Sequence, residues 1–145
     1  MIHANISVFK NPAKKTLYAL TYVFVFFFAY TGFYKFLNIE AFRFNLARTG
    51  IYPDSWLLLL PYFVIFLEFS VVLVILFRPK IGVLLFSITM FLFSVYITYL
   101  NYTGRYEVCG CGGVLNGLEY SYHILINLIF LVLSILIFIK LNLKS

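Results

Sequence analysis

Charge is what this chain has least of. Only 11% of its 145 residues are charged, and only five of them are acidic. A soluble domain carries about a quarter charged residues, so the deficit excludes a soluble globular protein. It excludes an intrinsically disordered chain as well, because such chains stay solvated through charge and polarity. The chain also lacks any internal repeat, low-complexity tract or linker long enough to separate domains, so residues 1–145 read as a single membrane domain. Cysteine is nearly missing too: Cys109 and Cys111 are the only two.

What is present is apolar sequence, 63% of the chain. It is gathered into four runs, at about 16–37, 56–77, 81–102 and 121–139. Each holds roughly 20 residues, enough at ~1.5 Å per residue to cross a ~30 Å hydrocarbon core. Inside lipid the backbone must satisfy its own polar groups, so these runs predict helices, and the alternation of barrel strands is absent. The first run exceeds the apolar stretch of a signal peptide, and no small-residue cleavage site follows, so it reads as a permanent helix. The fold class expected is all-α, an integral membrane four-helix bundle.

The formal net charge of +6 could suggest a nucleic-acid partner. The basic residues instead flank the apolar runs, as membrane topology requires, and no nucleic acid is expected. Lys10, Lys14, Lys15, Arg78, Lys80, Lys140 and Lys144 fall on one side, and Lys35, Arg43, Arg48 and Arg105 on the other. The excess puts the N- and C-termini in the cytoplasm. Loop 103–120 then faces the periplasm or its equivalent, where disulfides form and persist.

That loop holds Cys109-Gly110-Cys111-Gly112-Gly113. Its glycines permit the positive φ values a tight thiol loop needs. A disulfide across one intervening residue closes a small ring. Strain there makes the bond easier to reduce, and so short a loop adds little stability through chain entropy. The pair therefore suits thiol–disulfide exchange better than stapling. Two other readings stay open: an inert structural disulfide, and a metal site shared with His123. The metal reading offers three ligands where structural zinc normally takes four, so no metal is expected. The start of the fourth helix, Arg105 and His123 could each favour a thiolate, and Glu107 would oppose it.

Polar residues within the apolar runs are the other candidates. Glu68 lies about twelve residues, roughly 18 Å, from the outer end of the second run. A carboxylate there must face the bundle interior or a water pocket, as a proton-handling group or as an interhelical hydrogen-bond partner. Lys35 ends the first run, where snorkelling to the interface is the simpler account and a direct role the alternative. In the fourth run His123, Asn127 and Ser134 share one face, and in the third Ser87, Ser94, Thr98 and Asn101 do. The hydroxyls read as interhelical glue. His123 and Asn127, closest to the cysteines, read as part of a functional polar network.

Several of these residues carry a resemblance. Thr31-Gly32-Phe33-Tyr34-Lys35-Phe36-Leu37 followed by Phe42, then Glu68, then Cys109-Gly110-Cys111-Gly112, then Asn127, resemble in order and topology the MauE/DoxX-like membrane proteins, in particular the methylamine-utilisation MauE branch. The family loop often reads Cys-Gly-Cys-Phe-Gly where this chain has Gly112 and Gly113, and arginine often stands where this chain has Ile126. The resemblance implies a bundle in the bacterial inner membrane that supports disulfide formation in a periplasmic partner, alongside a thioredoxin-like protein.

The reading that follows is a membrane thiol–disulfide oxidoreductase or redox accessory protein. Cys109 and Cys111 exchange with a periplasmic dithiol protein, a lipid-soluble quinone is the candidate electron acceptor, and Glu68, Lys35, His123 and Asn127 form the interior polar network. Quinone-coupled enzymes of this shape generally carry a second cysteine pair, and this chain has none. The rival reading is a non-catalytic scaffold subunit of a larger inner-membrane complex, docking through its helices or through segment 38–55, with a structural cysteine loop. A transporter is disfavoured, since neither repeat nor broken helix is evident.

Overall fold

The computed structural model describes residues 12–143. Lys10 and Lys144, two of the flanking charges, lie outside them. Six α-helices follow in order: α1 (Pro12–Leu37), α2 (Ile39–Arg48), α3 (Asp54–Leu57), α4 (Leu60–Phe77), α5 (Pro79–Tyr102) and α6 (Tyr120–Leu143). Four of them, α1, α4, α5 and α6, are long and apolar enough to cross a membrane. They form the bundle expected from the sequence. Their outer surfaces carry large exposed apolar side chains such as Phe26, Phe66 and Phe77, which in a multi-pass membrane protein lie against lipid.

Two prolines set the boundaries. The second apolar run is not one helix from 56 but α3, a turn at 58–59, and α4. Pro61 stands in the first turn of α4. It has no N–H to give the carbonyl four residues back, and its ring crowds that carbonyl, so the chain breaks before it. Pro79 does the same between α4 and α5. The residue before a proline is pushed out of the helical region, and Arg78 sits at φ −139°, ψ 77°. One residue thus turns the chain through a full reversal.

That tight reversal needs Gly82. A Cβ placed there would lie 2.4 Å from both the Cα and the N of Ile75. Gly82→Ala should therefore force α4 and α5 apart and destabilise the bundle by about 1–3 kcal/mol, the usual range for overpacking. Thermal unfolding in detergent reads this; an unchanged midpoint would mean the two helices are not in contact here.

The interior between the helices is aromatic. Phe86 of α5 lies 4.4 Å from Phe24 and 4.4 Å from Phe28 of α1, centroid to centroid. Ser87 Oγ and Ser134 Oγ are 2.7 Å apart and join α5 to α6, consistent with the glue role expected of the hydroxyls. Thr98 and Asn101 share the face of Ser87 and Ser94, but they are exposed. Thr98 donates to the Ser94 carbonyl of its own helix at 2.7 Å, and its hydroxyl lies 3.0 Å from that of Tyr120 at the start of α6.

Segment 38–55 holds a helix of its own. α2 carries Phe42 and Leu46 on one face, and both are buried against Leu57. Its polar face pairs Glu40 with Arg43 at 3.0 Å. This short amphipathic helix closes the cysteine end of the bundle, and that closure shapes the site beneath it.

Candidate functional site

The site forms where loop 103–119 folds down between α5 and α6 and meets α1, α2 and α4. Two 3-10 turns, Tyr106–Val108 and Gly113–Gly117, bracket the cysteines. The glycines between them do the steering. Gly110 has φ +66°, and a Cβ on it would come 3.0 Å from the Phe42 ring. Gly112 has φ +92°. Only glycine adopts such angles freely, so these two residues let the chain bury Cys109 and Cys111 under α2.

Both cysteines are free thiols, Cys109 buried and Cys111 partly so. Their sulfurs and a ring nitrogen of His123 all lie within 4.8 Å of one another. The Cys111 backbone N–H points at Cys109 Sγ, 3.3 Å away. The two thiols are not equivalent. The Cys111 thiol donates to Cys109 sulfur, and that bond, aided by His123 and the Cys111 N–H, pulls the Cys109 thiol down to about 5 against the opposing effect of burial. Burial pushes the Cys111 thiol up, and the neighbouring Cys109 adds to the rise. The two thiols thus differ in acidity, the property that governs thiol reactivity.

His123 is 1% exposed. Its Nδ1 lies 2.8 Å from the Tyr106 hydroxyl, and that hydroxyl donates to the Leu118 carbonyl, also at 2.8 Å. Burial, with the cysteines as a further cause, holds the Tyr106 phenol well above its ordinary value. Tyr106 was not singled out in the sequence. Its place three residues before Cys109 was the available signal, but the chain holds 12 tyrosines and spacing alone does not separate this one.

Deeper in the bundle Lys35 and Glu68 form an ion pair, Nζ to Oε1 2.5 Å, with side chains 5% and 1% exposed. Lys35 does not snorkel. α2 lies across the end of α1, Phe42 and Phe93 place their rings 5.7 and 5.5 Å from the ammonium, and Glu68 supplies the counter-charge inside. Thr31 also donates to Oε1, at 3.3 Å. Glu68 Oε2 has no hydrogen-bond partner among the described residues. Gly32 leaves it room, since a Cβ there would stand 3.2 Å away.

One cavity of about 220 Å³ gathers these groups. Lys35, Glu68, Cys109, Cys111, His123 and Asn127, the cysteine pair and the four residues read from the sequence as its interior polar network, line it, and Phe27, Phe93 and Tyr96 give it aromatic walls. On the far side of the loop a second pocket is lined by Tyr106, Glu107, Cys109 and Glu119. Cys109 borders both spaces, whereas Cys111 borders the inner one. A single pair thus touches the outside of the bundle and its interior at once.

A metal could be offered two thiolates and one imidazole here. That set is one ligand short of a closed structural zinc site.

A family model described as methylamine utilisation protein MauE matches residues 13–140. Comparison with curated proteins and with solved structures gives no match.

Proposed function

We propose, since the chain belongs to the methylamine utilisation protein MauE family, that it is a membrane thiol–disulfide oxidoreductase that makes disulfides in a dithiol partner, such as a thioredoxin-like protein, on the periplasmic side of the bacterial inner membrane. The observation that carries the reading is the unequal Cys109–Cys111 pair, with His123 against it, at the mouth of a cavity inside the bundle. The excess of basic residues on the opposite side supports a periplasmic position for the loop.

The exchange balances as follows. A partner thiolate attacks Cys109 Sγ of the Cys109–Cys111 disulfide. The S–S bond breaks, a mixed disulfide forms on Cys109, and Cys111 leaves as a thiolate and is protonated. The second partner thiolate attacks the partner sulfur of the mixed disulfide, and Cys109 departs as a thiolate. The partner has lost two electrons and the pair has gained them. Attack on Cys109 is favoured because Cys109 borders the outer pocket, and its departure is fast because a low-pKa thiol leaves well.

Reoxidation needs a two-electron acceptor. The residues present fit a lipid-soluble quinone: aromatic walls from Phe27, Phe93 and Tyr96, and polar Lys35, Glu68 and Asn127 on the same cavity, where Glu68 Oε2 lacks a partner among the described residues. A quinone there would take up two electrons and two protons. Because Cys111 borders that cavity, one pair can serve both faces without a second.

A scaffold subunit of a larger membrane complex is the second reading. Phe44 and Trp56, 63% and 62% exposed in and beside α2 and α3, favour it as docking points.

Purified, oxidised protein in nanodiscs, mixed with a reduced thioredoxin, separates the two. The oxidoreductase should form one thioredoxin disulfide per protein, and catalytic amounts once a short-chain quinone is added. The Cys109→Ser/Cys111→Ser variant should form none. Equal disulfide formation by wild type and variant would favour the scaffold, and a yield that stays at one equivalent with quinone present would exclude quinone as acceptor.

A further inference from the structure

The Tyr106 hydroxyl has one proton, and the geometry says where it goes. An oxygen 2.8 Å from the Leu118 carbonyl needs a hydrogen between them, and only the hydroxyl can supply it. Tyr106 oxygen is then left as an acceptor toward His123. Nδ1, 2.8 Å away, must carry the hydrogen of that second bond. A neutral imidazole with its proton on Nδ1 has a bare lone pair on Nε2. His123 is 1% exposed, so water has little access with which to reset the tautomer.

From this chain we infer that Tyr106 is a positioning residue: braced on the Leu118 carbonyl, it locks His123 in the Nδ1–H tautomer so that Nε2 acts as the base for Cys109. The inference rests on the thiol-exchange reading above and names how that site is tuned. In the reduced pair the Cys109 S–H bond breaks and an Nε2–H bond forms, leaving a thiolate held by the imidazolium and by the Cys111 N–H. During exchange the same imidazolium stabilises Cys109 as it departs from a mixed disulfide. A couple whose reduced form is stabilised this way is a stronger oxidant, which suits a protein that makes disulfides.

The lowered Cys109 thiol is consistent with this, with Cys111 as its first cause and His123 contributing. The other titratable or charged groups around the pair are Lys35 of α1, Tyr52 before α3, Glu68 of α4, Tyr96 of α5, and Glu107, Glu119 and Tyr120 at the outer pocket. None of these is altered by the test below. Tyr106 packs edge-on to both Tyr120 and His123, at 5.6 and 5.9 Å, and phenylalanine keeps those contacts.

The test is the pH dependence of iodoacetamide alkylation at Cys109 in the reduced, full-length protein, read by peptide mass spectrometry, together with the redox equilibrium against glutathione. Tyr106→Phe should move the alkylation midpoint upward, slow alkylation at pH 6 by about tenfold, and shift the glutathione equilibrium about tenfold toward the disulfide, as a less acidic thiol predicts. In a His123→Ala background, Tyr106→Phe should add nothing further. A profile identical to wild type, or an undiminished Tyr106 effect without His123, would overturn the inference. A measurement on the unmutated protein does not depend on how the variants fold: nitrogen chemical shifts of His123 in the oxidised protein should report the Nδ1–H tautomer, and a neutral Nε2–H tautomer would overturn it. These readouts involve no partner protein. They can succeed while transfer to thioredoxin fails, and the reverse.

Discussion

Lys35→Met should cost the bundle about 3–5 kcal/mol, and Glu68→Leu a similar amount, while the Lys35→Met/Glu68→Leu double variant should recover most of the loss. The two groups are buried and face each other across 2.5 Å. Removing either leaves the other charged, dry and uncompensated. The remaining neighbours are a poor substitute: Thr31 is a neutral donor to Glu68, and the Phe42 and Phe93 rings lie near the Lys35 ammonium. Replacing both at once removes the desolvation cost along with the attraction, so the pair is a weak source of stability but a strong constraint on substitution. Denaturant or thermal unfolding of the three variants in detergent reads the cycle. Single variants no worse than the double would mean that Lys35 reaches water and the pair is not closed.

The second large effect concerns the inequality of the two thiols. At pH 6 Cys109, left alone in Cys111→Ser, should alkylate about tenfold or more faster than Cys111 left alone in Cys109→Ser. A thiol near 5 is mostly thiolate at pH 6, whereas one raised above its ordinary value is almost wholly protonated there. Intrinsic nucleophilicity falls with pKa and offsets part of that advantage. Serine at 111 keeps an O–H to donate toward Cys109, so the variant retains that donor. The sign is fixed by the direction of each shift. Cys109 reactivity should stay nearly flat above about pH 6 and drop as pH falls through 5, while Cys111 reactivity should rise about tenfold per pH unit through the neutral range. Parallel profiles for the two variants would contradict the asymmetry.

What the sequence made visible was whatever is costly in a membrane. Glu68, His123 and Asn127 stood out because polar groups inside apolar runs must face something polar, and each lines the cavity. The four spans were visible for the same reason. Less visible was anything that depends on which surface covers which. Lys35 at the end of a run looks like a residue reaching for water, and only α2 folding over it, through Phe42, makes it interior. α2 itself carries two buried apolar residues in ten, too few to distinguish it from a loop by pattern. Thr98 and Asn101 share a face with the buried Ser87 and Ser94 yet are exposed, because a shared face does not say how deeply each position along it is covered. The break before Pro61 was written in the sequence but masked by the leucines on either side, which kept the apolar run continuous. Tyr106 depends on a carbonyl 12 residues away in an irregular loop, and no periodicity encodes that.

The most direct test of the central claim is the state of the two cysteines in native membranes. Acid quenching followed by differential alkylation should find the wild-type pair divided between dithiol and disulfide. Cys111→Ser should accumulate a partner protein disulfide-linked to Cys109, removable by reductant. A pair that is wholly oxidised under all conditions, together with unchanged partner disulfides in the Cys109→Ser/Cys111→Ser variant, would contradict a redox role and leave the cysteines as a structural link.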